Sequence, residues 1–197
     1  MRTRFVVALV VATACAPVET KVGGARLIEA DLVVEAPGGP TLEVGKDPIP
    51  SSISGPVRLA ADRETPYREV AKAVNAVRAA GGKPYLLVTR RDKVYALPES
   101  TVASGEAIRL SARSDGKACI SPPDNDEATC VSRRDQKRID RAFVRQVVGQ
   151  AVRDWGLRRV RVSVDPETQW GDAVRAIDGA RTCCGEDSGV TVSVEPS

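Results

Sequence analysis

The sequence predicts an α+β fold of two small β-α-β-containing domains, the second ordered β-β-α-β-α-β and the first a reduced version of it. Three observations predict this. Short stretches of alternating apolar residues have the period of strands, and longer stretches with apolar residues every third or fourth position have the period of helices. Gly and Asp-Gly pairs punctuate them. One strand–helix stretch also occurs twice, 103 residues apart.

The chain opens with Arg2 and Arg4, then an apolar run over residues 5–12, then small residues before Cys15. That order is a secretory signal over residues 1–14. A membrane-spanning helix needs about 20 apolar residues, and Pro17, Glu19 and Lys21 end this run early. Ala12-Thr13-Ala14-Cys15 resembles a bacterial lipobox with Ala12 at the usual leucine position. The expectation is therefore an acylated Cys15, a tether over residues 15–25, and a folded part on the periplasmic side of a bacterial membrane. Ala16 after the cysteine points to the outer membrane. Ala12-x-Ala14 also fits cleavage for plain secretion.

The first domain is expected over residues 26–97, with strands at 26–36 and 41–44. Residues 45–56 hold three prolines and several serines and read as loop, where a fuller copy would have a helix. Val57, Leu59 and Ala61 then alternate with Arg58 and Ala60 as a strand. Asp62 leaves it, Thr65 is placed to cap a helix over 66–80 with Pro66 at its first position, and Gly81-Gly82 ends it. Residues 85–89 form a buried strand, and Arg90-Arg91-Asp92 turns the chain into 94–97. A linker at 98–105 follows.

The second domain, residues 106–197, starts with a strand at 107–112, a Ser114-Asp115-Gly116 hairpin turn, a returning strand at 117–121 and a polar loop over 122–129. A helix is expected over 135–155, capped by Asp135, with Ile139, Phe143, Val147 and Ala151 on one face. Here the repeat begins. Val160-Arg-Val-Ser-Val-Asp165 matches Val57-Arg-Leu-Ala-Ala-Asp62, and seven identities fall between residues 57 and 78. Thr168 stands for Thr65 as the cap and Trp170 for Tyr67. The helix runs over 169–182 and the last strand over 190–194. Each copy is thus strand–helix–strand, which requires a crossover and parallel pairing.

Composition narrows the function. Hydrophobic residues make up 42% and charged residues 28%, ordinary globular values. The formal charge of +3 loses two arginines with the signal, leaving 27 basic against 26 acidic residues. No basic cluster interleaves with aromatics, which make up 4%, so nucleic-acid binding has no support. The chain has no histidine, which removes Ser-His-Asp and Cys-His catalysis and histidine metal sites. No motif implies a cofactor or metal.

Beyond Cys15, four cysteines remain in an oxidising setting. Cys119 and Cys130 flank one loop and form one plausible pair. Neighbouring Cys183 and Cys184 are poorly placed to bridge each other, so cross-pairing of the two sets is the competing map and free thiols the plain alternative. The repeated acids Asp62/Glu64 and Asp165/Glu167 raise acid–base chemistry, but each pair stands at a strand-to-helix corner, where acids serve the turn and the helix N-terminus.

The segment from Val57 through Gly81 resembles the C-terminal half of the periplasmic domain of TolR/ExbD biopolymer-transport proteins. In that family a strand ends in Asp, an aromatic opens the next helix and a glycine closes it. Asp62, Tyr67 and Gly81 match, as do Asp165 and Trp170. The Asp115-Gly116 hairpin resembles the family's domain start. The family's transmembrane helix, with its proton-carrying aspartate, has no counterpart here, and two copies stand where the family has one. The resemblance implies no motor activity. It implies a non-catalytic module that binds an envelope protein or peptidoglycan, held to the membrane by its lipid alone, with homodimerisation as a family trait that two fused copies would satisfy internally. An accessory role in such a transport system and an unrecognised hydrolase are the alternatives.

Overall fold

The computed structural model describes residues 19–99, 105–124, 127–131, 137–185 and 188–194. The signal segment, Cys15 and most of the 98–105 linker lie outside them. The architecture is mixed α+β. A four-stranded sheet has the order β3-β4-β5-β6 (Thr41–Glu43, Gly55–Ala60, Gly82–Arg90, Lys93–Ala96). A five-stranded sheet has the order β11-β10-β7-β8-β9 (Thr191–Val194, Arg159–Val164, Ile108–Ala112, Ala118–Ser121, Thr129–Val131). A small hairpin, β1 (Lys21–Val22) with β2 (Ala25–Arg26), precedes them. The helices are α1 (Tyr67–Ala79), α2 (Arg141–Trp155) and α3 (Trp170–Arg181). Among the described residues no helix is long and apolar enough to cross a membrane.

Both copies contain the predicted parallel strand–helix–strand. β4 pairs with β5 across α1, and β10 with β11 across α3. The third parallel strand is β3 in the first copy and β7 in the second. Arg58 faces Thr41 and Tyr85, whereas Arg161 faces Arg109 and Ser193. The offset between copies therefore changes from 68 at β3/β7 to 103 at β4/β10 and 108 at β5/β11. The second copy gains its extra length as β8, β9 and α2 on one side of β10 and as a longer α3–β11 connection on the other.

Val57, Leu59 and Ala61 from the first copy and Ile108, Leu110, Val160 and Val162 from the second enter one core, together with Tyr67 and Trp170. Burying each of the larger aliphatic side chains contributes about 1.5–3 kcal/mol. The opposite face of the first sheet is covered too. Ala60 and Leu87 pack there with Ala25 and Leu27 in a second cluster, as suits parallel strands buried on both sides.

Several expectations need correction. Residues 26–36 do not form a strand. After β2 the segment touches the sheet at single bridges, Glu29 with Thr89 and Val34 with Ala96, because it must climb from β5 to β6 while covering the sheet face. The long helix of the second copy starts at Arg141, where Asp140 accepts the Phe143 N–H, and Asp135 lies outside the described residues. Its buried face is Val144, Val148 and Ala151, so the expected stripe through Phe143 and Val147 is rotated by one residue. The polar loop ends in an unpredicted strand, β9, giving β-β-β-α-β-α-β. The turn after β5 uses Arg91 and Asp92, both at positive φ, as a two-residue hairpin of this twist requires.

Candidate functional site

The repeated corners meet. Thr65 and Thr168 do not cap their helices: the cap positions are Pro66 and Gln169, and neither side chain bonds to its helix. The first N–H groups of each helix, which have no partner within it, bond to the other copy. Tyr67 N donates to Thr168 O at 2.8 Å and Trp170 N to Thr65 O at 2.7 Å. Arg68 N donates to Pro166 O at 3.0 Å and Gly171 N to Arg63 O at 2.8 Å. Residues 103 apart exchange roles in both pairs, so the copies are related by a local near-twofold axis that passes between Pro66 and Gln169. The Tyr67 and Trp170 rings stack across it, centroids 6.5 Å apart and planes 14° apart. A Cβ at Gly171 would lie 3.1 Å from Arg63 O, a tight contact that the carbonyl would have to ease by a few tenths of an ångström.

The corner acids bond within their own turns. Asp62 accepts the Glu64 N–H and Asp165 accepts the Glu167 N–H, the same turn twice. Beyond that they differ. Asp62 takes two bonds from the Arg26 guanidinium and one from its N–H. Partial burial pushes the Asp62 carboxyl up, but these bonds outweigh it and hold it at about 2. Asp165 instead accepts the Ser114 hydroxyl. Thr168 is buried, its hydroxyl donating to Ala112 O.

A polar lock that the sequence reading missed ties the first copy to α2 and α3. Asp178 on α3 is fully buried. One carboxylate oxygen accepts the Asp31 N–H and Arg141 Nη1, and the other accepts the Leu32 N–H. Arg141 also pairs with Asp31 at 3.2 Å. The available signal was the run of small and apolar residues around Asp178, which marks a helix covered on every side.

Beside the corner, between the copies, an open cleft of about 1280 Å³ is lined by the segment around Ile28, by Arg63 and the Arg91-Asp92 turn, and by residues 137–142 and Arg175 of the second copy. Arg63 serves both places, with its carbonyl in the corner and its side chain in the cleft wall. Next to the cleft, burial pushes the Asp172 carboxyl up despite Arg175 at 2.6 Å. These residues are scattered along the chain, and no local pattern marks them.

Cys119 and Cys130 face each other on β8 and β9 and form a disulfide. Cys183 and Cys184 are thiols in the α3–β11 connection. Burial, reinforced by Cys184, pushes the Cys183 thiol up to about 12. Among the described residues no group of three or more Cys, Asp or Glu is placed to hold a metal. Trp155 ends α2 partly exposed.

No protein-family model, curated protein or solved structure matches this chain.

Proposed function

We propose that the chain is a lipid-anchored binding module of the bacterial envelope, made of two tandem TolR/ExbD-like units and acting without catalysis on a protein or cell-wall partner. One observation carries this reading: the reciprocal corner bonds hold the copies as one body with a wide cleft between them. Binding sites commonly lie where two such units meet. The repeated acids that invite an enzymatic reading are occupied by turn and ion-pair bonds. The anchor is Cys15, as its signal-like leader implies.

Photo-crosslinking in intact envelopes tests the binding role. A crosslinking residue at Arg91 or Ala142 in the cleft is expected to give discrete adducts, and one at exposed Lys83 on β5 is not. Adducts absent at the cleft, or equal at both places, count against the reading. The intact mass of the native protein tests the anchor, with an acylated N-terminal Cys15 as the expected result.

A further inference from the structure

Cys183 and Cys184 are explained by neither the repeat nor the core. The equivalent positions in the first copy are Ala80 and Gly81, so the same helix end forms there without sulfur. Cys183 packs against the main core, as any small apolar side chain would, but Cys184 belongs to neither cluster. Both are thiols, whereas Cys119 and Cys130 are bridged. Neither lines the cleft.

The turn that carries them is held in place. Thr182 Oγ1 donates to Asp178 O at 2.7 Å, and Ser188 Oγ to Gly185 O at 2.8 Å. Gly149 of α2 comes so near that a Cβ there would lie 3.2 Å from Cys183 O. Both thiols are half-buried and close enough to interact with each other, and the Arg145 charge reaches Cys183. Two sulfurs thus share one fixed turn beside a cationic side chain.

A direct bond between neighbouring cysteines meets strained geometry, since the sulfurs must come within about 2.05 Å. An ion between them lets the sulfurs stay well apart. The donor set selects the ion. The chain has no histidine, and its only methionine is Met1. Among the described residues no third Cys, Asp or Glu completes a metal site around the pair. Structural zinc takes about four ligands, and calcium or magnesium takes oxygen. Thiolates suit copper(I), a filled-shell ion for which two sulfurs suffice. Two thiolates on one such ion leave a net negative charge, which Arg145 offsets.

We propose that Cys183 and Cys184 together bind one copper(I) ion as a two-sulfur site. Both thiols lose their protons to solvent, two S–Cu bonds form, and no electron is transferred. The half-buried setting disfavours free thiolates, and a cation shared between them removes that penalty.

Anaerobic titration of the purified mature protein with copper(I), buffered by the chromophoric chelator bicinchoninate, tests this. One ion per chain is expected to leave the chelator, with an affinity that falls as pH is lowered because protons compete for the sulfurs. Cys183→Ser and Cys184→Ser are each expected to weaken binding by about a hundredfold or more, and Arg145→Gln, which keeps both ligands, by about tenfold. Zinc is expected to bind more weakly than copper(I). X-ray absorption at the copper edge is expected to show two sulfur ligands. Thermal melts establish that each variant is folded, and Cys184→Ser, outside the core clusters, serves if Cys183→Ser is not. No copper(I) withdrawn from the chelator, unchanged affinity in a folded serine variant, tighter binding of zinc, or three or more ligands around copper would overturn the proposal.

Discussion

α1 and α3 start from equivalent corners and end in different surroundings. On α1, Arg68, Lys72, Asn75 and Arg78 form an exposed stripe on the helix. The equivalent positions on α3 are Gly171, Arg175, Asp178 and Arg181, and that stripe is covered. The cover is α2, which packs against α3 and has no counterpart in the first copy. A stripe that water solvates on one helix must find internal partners on the other. Asn75 corresponds to Asp178, which holds Arg141 and two backbone N–H groups. Ala76 corresponds to Gly179, whose missing Cβ would lie 2.8 Å from Arg141 O and 2.9 Å from Val144 Cβ. Adding one helix thus changed what its neighbour can tolerate, while the apolar face toward the sheet stayed alike.

The largest expected break in this comparison is Asp178→Ala. It leaves two part-buried N–H groups without their acceptor and takes one of the two carboxylates on Arg141, and should cost about 2–4 kcal/mol, against about 0.5 kcal/mol or less for Asn75→Ala. Urea unfolding of the pair measures the contrast, and equal midpoints would show that the buried carboxylate is not a lock. Overpacking gives the next effect. Gly179→Leu is expected to cost about 1–3 kcal/mol and to lower the melting temperature more than Ala76→Leu, because only the first pushes α2 away. Differential scanning calorimetry reads both.

The smallest effect concerns the corners. The Asp62 carboxyl is held at about 2 in the fold and titrates near 3.9 when unfolded. Its contribution is complete above that unfolded value and disappears as pH falls toward the folded one. With solvent screening it is worth on the order of 1 kcal/mol. Asp62→Asn should remove this part of the acid sensitivity between about pH 4 and 2, whereas Asp165→Asn should retain it. Acid titrations followed by circular dichroism separate the two.

The repeat was legible because strands and helices write their periods locally: Val160, Val162 and Val164 alternate, and Asp115-Gly116 marks a turn whose backbone few other residues adopt. The helix starts were misread because Thr65 and Thr168 have the chemistry of caps, yet backbone carbonyls from the other copy had taken that place. Asp178 and the cleft were hidden for a related reason. Their partners lie far away in sequence, Asp31 and Leu32 for the one, Arg63 and Arg138 for the other, and only the folded chain joins them. The stripe through Phe143 was wrong by one residue because α2 is judged by two neighbours, α3 and β8, rather than by one flat surface.

The crossed hydrogen bonds at the corner have a further consequence. A surface that matches its own copy across a near-twofold axis is the kind that joins separate subunits. Once both halves belong to one polypeptide, the union is intramolecular, governed by the tether and no longer by how many molecules are present. Such a pair stays assembled however dilute the protein becomes.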